Sequence, residues 1–189
     1  GPTDSRKSTF TNAIIGVIGT ATVSSLPIQE LDKRFQLQRL YRKRLNACGD
    51  LGAESFSRVS VFKRTTGGDI LEGELKGANR PLSFVWGGKH LFDANDLPLP
   101  TGNADSEAFY NRLLLFPFPV KMSKDQIDRS YGEKLATPEE RSGILNWMLD
   151  GLERLERQQG FTEVTDVSVI HEQYKRASDS VYCFVSDCC

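Results

Sequence analysis

Apolar residues recur at Phe10, Ala13, Ile14 and Val17, a three-and-four spacing that predicts one helix face from Lys7 to about Ile18, with Gly19 placed to end it. The pattern then shortens. Ala21 to Ser25 is β-branched, Pro27 opens a new segment, and Ile28, Leu31 and Phe35 fit a helical turn or two. Leu45-Asn46-Ala47-Cys48-Gly49-Asp50 reads as a short, partly apolar strand that ends in an acid. Farther on, Lys63 and Arg64 precede Gly67-Gly68-Asp69, a turn signal, and Lys76 follows it. If the flanking segments are short strands, this region is a hairpin with basic residues exposed. Lys89 to Ala94 predicts another strand, running into Asn95-Asp96-Leu97-Pro98. The apolar run Leu113 to Phe118 predicts a buried strand.

The last third reads as helical. Ser123-Lys124-Asp125-Gln126 and Thr137-Pro138-Glu139-Glu140 both fit capping boxes, the second with proline at the first helical position. Ile144, Trp147, Met148, Gly151, Leu152 and Leu155 predict one face of a helix reaching about Gln158, with Trp147 and Met148 in the core and Gly160 as its stop. Val167, Ile170, Tyr174, Val181 and Phe184 predict one further helix running to the end. The expected division is 1–119, an α/β core, and 120–189, a helical region. Both ends read as truncated.

Composition narrows the class without naming it. The 189 residues are 39% hydrophobic and 26% charged, with a formal net charge of −1, as in ordinary soluble domains. A wholly basic nucleic-acid binder is excluded, but a local basic groove is not. Arg39, Arg42, Lys43 and Arg44 cluster as either a solvated face or a phosphate contact. The apolar runs are too short to span a membrane, and the polar first residues do not form a signal peptide. Cys48, Cys183, Cys188 and Cys189 form no C-x-x-C pair, which points to a reducing, cytoplasmic setting rather than to zinc. His90 and His171 have no acidic partner in motif spacing, and neither is read as a catalytic base.

The first nine residues, Gly1-Pro2-Thr3-Asp4-Ser5-Arg6-Lys7-Ser8-Thr9, carry the chemistry. They fit the phosphate-loop pattern G-x-x-x-x-G-K-[ST] at every fixed position except Arg6, which stands where the second glycine belongs. Such a loop aims backbone N–H groups into one concavity with a helix N-terminus behind them. Its lysine reaches the β- and γ-phosphates, and its hydroxyl meets Mg²⁺. Glycine before the lysine permits backbone conformations that a side chain disfavours. The other reading of these nine residues is a Ser/Thr-rich loop capping an ordinary helix.

The order of the downstream strings is more specific than any one of them. Lys7-Ser8-Thr9-Phe10 comes first, then Phe62-Lys63 through Thr66-Gly67-Gly68-Asp69, then Ala94-Asn95-Asp96-Leu97-Pro98. Ala108-Phe109-Tyr110-Asn111-Arg112 follows, through Phe116-Pro117-Phe118-Pro119, and then Gly143 through Leu152 and Gly160-Phe161-Thr162. Over nearly the whole chain this resembles the superfamily 3 helicase domain of phage, plasmid and poxvirus-type primase-helicases. The resemblance implies an ATP-driven motor on single-stranded DNA, with an AAA+-like P-loop NTPase sheet, working as a homo-oligomeric ring, commonly a hexamer.

It implies ATP and Mg²⁺ as cofactors, with Gly1, Arg6, Lys7, Ser8 and Thr9 at the nucleotide and Ser8 and Asp50 at the metal. Asp50 would be the Walker-B acid, Asn95 the γ-phosphate sensor and Arg112 the arginine finger. Lys63, Arg64 and Lys76 would meet DNA. The chain departs from the family at Arg6, in having Gly49 and Leu51 rather than a second acid beside Asp50, and in lacking the strand before the loop. These departures leave a second expectation: a catalytically inactive nucleic-acid-binding or oligomerisation remnant.

Overall fold

The computed structural model describes residues 2–77, 79–162 and 166–188. It is mixed α/β, with a three-stranded parallel sheet and helices packed around it. Helix α1 (Lys7–Ile18) leads into β1 (Val23–Ser24) and β2 (Leu45–Cys48). Gly19 ends α1 at φ 89°, donating its N–H to Ile15 O at 2.8 Å. The sheet is completed by β5 (Lys89–Phe92), in the order β1-β2-β5. Strand β2 is buried at all four residues because it has a parallel neighbour on either side. The β2–β5 register pairs Cys48 with Phe92, so the residues after each strand emerge level at the carboxyl edge. Two bonds extend this level beyond the strands, from Asp93 N to Cys48 O at 3.1 Å and from Leu51 N to Asp93 O at 2.8 Å. Open parallel sheets place ligands at this edge.

Between β2 and β5 lie α2 (Ser60–Gly67) and a separate antiparallel hairpin of β3 (Ile70–Gly73) and β4 (Leu82–Val85). This corrects the reading of the diglycine. Gly67 closes α2, and Gly68, at φ 79° and ψ 19°, is its left-handed cap with its N–H on Arg64 O. The hairpin follows the diglycine instead of turning at it. Lys63 and Arg64 are therefore helical, and only Lys76 belongs to the hairpin connection. At Gly88 a Cβ would lie 2.7 Å from Arg44 O, so only glycine lets the chain enter β5 so close to the start of β2.

The hydrophobic core runs beneath the sheet from Leu26 and Leu40 through Phe62 and Leu71 to Phe109 and Tyr110. Phe109 packs edge-on against Phe56, Phe62 and Tyr174 at centroid distances of 5.6, 5.6 and 5.8 Å. Tyr174 and Ile170 come from α6 (Val167–Ser178), so this core crosses the 119/120 division. Tyr110, in α3 (Glu107–Tyr110), donates to Asp105 at 2.7 Å, and Lys175 of α6 pairs with the same carboxylate. Burial pushes the Asp105 carboxyl up, but the hydrogen bonds from Lys175 and Tyr110 outweigh it and hold the group below the usual range.

Several element expectations change. Leu113 to Phe118 has no regular secondary structure, with Leu114 and Phe116 exposed, and pairs with no strand among the described residues. A strand exists only in a ladder, and the outer edge of β5 receives no such partner here. Ser123 and Gln126 do bond to each other, Oγ to Oε1 at 2.9 Å, but they close a turn; α4 starts only at Tyr131 and ends at Leu135. The second capping box holds. Thr137 Oγ1 accepts from Glu140 N at 3.3 Å, and α5 spans Pro138–Gln158. Its stop is Gln159 at φ 54° rather than Gly160.

Ile144, Met148, Gly151 and Leu155 form the half-buried stripe of α5. Trp147 and Leu152 are 61% and 48% exposed and lie outside this stripe, and Met148 is half-buried rather than part of the core. The final helical stretch is two helices, α6 and α7 (Ser180–Cys188). Asp179 breaks them, its carboxylate accepting from Val181 N and Tyr182 N at 3.0 and 3.1 Å to cap α7. No helix among the described residues is long and apolar enough to cross a membrane.

Candidate functional site

The site lies where the loop before α1 meets the carboxyl edge of the sheet. Asp4 and Arg6 both adopt left-handed backbone, at φ 61° and 67°. This is the conformation that glycine takes without cost and a side chain disfavours. Arg6 therefore occupies the glycine position by bearing strain of about 1 kcal/mol. Its guanidinium leaves the loop for the 126–131 segment: Nη1 lies 3.3 Å from Asp128 O, and the group sits over the Tyr131 ring at 5.1 Å. A backbone bond from Met122 N to Asp4 O, 3.1 Å, ties the same loop to the chain just before that segment.

Lys7, the first residue of α1, turns its ammonium back over the loop. Its Nζ donates to Pro2 O at 2.8 Å, to Ser5 Oγ at 3.1 Å and to Asn95 Oδ1 at 2.9 Å. Asn95 follows β5, 88 positions along the chain, so this contact is created by the fold. The start of α1 has no acidic residue in its first turn and no side-chain cap, so the helix's own first turn does not offset the positive end of its dipole. Ser8 and Thr9 stand in that first turn, Ser8 exposed and Thr9 half-buried. Gly1 lies outside the described residues.

Asp50 sits just past β2 at φ 53°, with its side chain exposed. Its backbone N–H donates to Asp93 Oδ1 at 2.8 Å, while Asp93 Oδ2 accepts from Thr11 Oγ1 at 3.0 Å. Asp93 thus ties α1, β2 and β5 together. Neither Asp93 nor Thr11 was among the sequence candidates. The signal for Asp93 was present: it ends a strand, as Asp50 does. Thr11 stands one helical turn after Lys7. Beside them opens a cavity of about 350 Å³, lined by Ser8, Thr11, Asn12, Ser24, Gly49 and Asp93. Cys48 borders this region beneath the edge, and burial pushes its thiol up.

The remaining candidates sit elsewhere. Arg112 follows α3, and its guanidinium folds back onto the Ala108 carbonyl. Lys63 donates to Ser106 Oγ at 3.1 Å, and Arg64 donates to the Ile70 carbonyl, so both brace α2 against its neighbours. Lys76, beyond β3, lines a second, separate cavity.

No curated protein matches the chain. Residues 1–112 match a family of unknown function, DUF5906, and that stretch carries Lys7, Asp50, Asp93, Asn95 and Arg112. Because the match covers more than half of the 189 residues, the chain belongs to the DUF5906 family.

Proposed function

We propose that this chain is a P-loop ATPase domain of the superfamily 3 helicase kind, coupling ATP hydrolysis to movement on single-stranded DNA. The observation that carries the reading is the 2.9 Å contact between Lys7 Nζ and Asn95 Oδ1. It joins the loop lysine and the polar residue after a neighbouring strand, the two groups that a γ-phosphate between them would need. The residues suit the cofactors. The uncapped start of α1 and the Lys7 ammonium favour a polyanion. Ser8 and Asp50 present oxygen donors, the kind that Mg²⁺ prefers. Mg²⁺ supplies charge neutralisation on the phosphate oxygens.

In this reading Lys7 releases its carbonyl and hydroxyl partners and takes phosphate oxygens instead. Asn95, held by β5, orients the terminal phosphate or the attacking water through its amide. Asp93 fixes the loop that carries Asp50 and so aims the Asp50 carboxylate. Arg112 points away from any established partner side chain, onto Ala108, and is assigned to a neighbouring subunit's nucleotide in a ring. ATP hydrolysis measured with and without single-stranded DNA tests the reading. Asn95→Ala is expected to lower turnover by about 10²-fold while nucleotide affinity stays within a few-fold. Turnover equal to the unaltered chain would overturn Asn95's role.

Arg6 favours a second reading, an inactive remnant that still binds nucleic acid, because the loop bears its strain and its anchor to the 126–131 segment. Arg6→Gly separates the two. It relieves left-handed strain that the loop bears without nucleotide, so the melting temperature is expected to rise, and it frees the loop from Asp128 and Tyr131 to close on phosphate, so ATP affinity is expected to rise by about fivefold. Unchanged affinity and absent turnover in both chains would favour the remnant.

A further inference from the structure

Residues 118–131 are fastened to α1 and to the loop before it at three places. Phe118 packs its ring against Phe10 of α1, with centroids 5.9 Å apart. Met122 N donates to Asp4 O at 3.1 Å. Arg6 Nη1 lies 3.3 Å from Asp128 O, and the Arg6 guanidinium covers the Tyr131 ring at 5.1 Å. The last two fastenings fall on Asp4 and Arg6, the residues of this loop with left-handed backbone, at φ 61° and 67°. Strained backbone persists only where its surroundings hold it, and both strained residues are held by the same segment. Between them Ser5 is buried, and its Oγ accepts from Lys7 Nζ at 3.1 Å. The segment is also shaped in advance. The Asp128 carboxylate accepts from Ser130 N and Oγ at 2.9 and 2.7 Å and pairs with Lys134 at 2.6 Å, which sets the turn that presents the Asp128 carbonyl. Tyr131 opens α4, and α4 packs against α1 and α5. Glycine at position 6 would carry the same backbone with nothing to fasten, so the arginine side chain has a use beyond forming the loop.

We infer that residues 118–131 form an autoinhibitory strap, which holds the loop in its strained form around Lys7 through Asp4 and Arg6 and lifts off when nucleotide phosphates take the loop. The inference rests on the reading of this loop as a nucleotide site and adds how its occupancy reaches the helices beyond residue 119. Phosphate oxygens displace Pro2 O and Ser5 Oγ from Lys7 Nζ, and the loop backbone between them must move. Moving it pulls Asp4 O and the Arg6 guanidinium from Met122 and Asp128, which frees the strap at the start of α4. The coupling is reciprocal: the factor by which nucleotide favours the lifted strap is the factor by which lifting the strap tightens nucleotide.

Limited trypsin digestion of the full chain, with ATP affinity measured by calorimetry, tests this. Lys121, Lys124 and Arg129 are exposed cleavage sites on the strap. Cutting there requires the segment to lift, so the rate follows the lifted fraction. Saturating Mg²⁺–ATP is expected to speed cleavage at these sites by about fivefold. Tyr131→Ala removes the ring beneath Arg6 and leaves the loop's own sequence intact. It is expected to speed cleavage without nucleotide and to tighten ATP by about threefold, the worth of an exposed cation–π contact. Tyr131→Phe keeps the ring and should match the unaltered chain in both measurements. If ATP binds the unaltered chain but leaves strap cleavage unchanged or slows it, the strap is overturned and the motor reading stands. Tyr131→Ala that binds ATP no more tightly than the unaltered chain would overturn it as well. If neither chain binds ATP, the nucleotide site falls and the strap falls with it.

Discussion

Lys7→Ala is expected to reduce ATP turnover by at least about 10²-fold, the loss seen when one preorganised charge-stabilising donor is removed from a reacting centre. The argument starts from the placement of the ammonium. Lys7 opens α1, where the helix dipole already favours an anion, and its Nζ is drawn over the loop by Pro2 O, Ser5 Oγ and Asn95 Oδ1. These are neutral oxygens, and charged phosphate oxygens would replace them at a gain. Among the described residues, alanine removes the one loop cation aimed at this position, because the Arg6 guanidinium is directed to Asp128 O and Tyr131.

Nucleotide affinity should fall with turnover, since the lysine acts on ground-state and transition-state phosphate charge alike. Lys7→Arg is expected to recover little, because a planar fork cannot take the point-charge position of an ammonium in so tight a loop. The measurement is phosphate release under saturating ATP with the melting temperature recorded in parallel. Turnover in Lys7→Ala equal to that of the unaltered chain would overturn the assignment of the loop.

What was legible in the sequence followed from local rules. The start and stop of α1 were set by the apolar spacing and by Gly19, and both appear where that pattern put them. Leu45 to Cys48 and Lys89 to Phe92 were readable as strands, and their parallel register explains why residues 43 positions apart, Asp50 and Asp93, come into contact. The demand for an unusual backbone at position 6 was also readable, because the pattern asks for glycine there. The structure gives Arg6 that backbone at φ 67°.

The misses have a common cause: local signals that only tertiary context can arbitrate. Gly67-Gly68 fits a hairpin turn and a helix stop equally well, and the buried Phe62 and Thr65 on α2 decide for the helix. Leu113 to Phe118 has the composition of a strand but not the partner that a strand needs. Trp147 shares the spacing of the α5 stripe but stands at its margin, where it is exposed. Asp93 was hidden because a strand ending in an acid is common, and only the Thr11 and Asp50 bonds distinguish it. His90 could not be judged by motif spacing at all, since its partners, Asn46 and Thr65, are not acids and lie on other elements.

Those partners underlie the largest expected effect on folding. Asn46, fully buried in the central strand, accepts from Leu26 N at 2.8 Å and Ser24 Oγ at 3.0 Å, and donates to Leu26 O at 2.9 Å. Its Nδ2 also faces His90 Nδ1 at 3.0 Å. An amide nitrogen only donates, so this bond assigns a lone pair to Nδ1 and the ring proton to Nε2, which faces Thr65 Oγ1 at 2.9 Å. Asn46→Ala leaves several buried polar groups without partners and is expected to cost about 3–5 kcal/mol, much of the stability of an ordinary domain.

The same arrangement makes folding sensitive to acid. Burial pushes His90 down from 6.5 to about 4, and a second ring proton would set donor against donor at Asn46. Above pH 6.5 the ring is neutral in both folded and unfolded chains, and His90 costs nothing. As pH falls from 6.5 toward 4 the unfolded chain takes up the proton and the folded chain does not, so stability drops by up to about 3 kcal/mol. Below about 4 both states are protonated and this contribution to the slope ends. Carboxylates such as Asp105, held below the ordinary value of 3.8, act mainly beneath that window.

Urea unfolding at successive pH values, compared with His90→Gln, isolates the effect. The unaltered chain should lose stability between pH 6.5 and 4.5 while the glutamine variant stays nearly level, because glutamine has no proton to gain. Parallel curves for the two chains across that interval would show that His90 is not the group responsible.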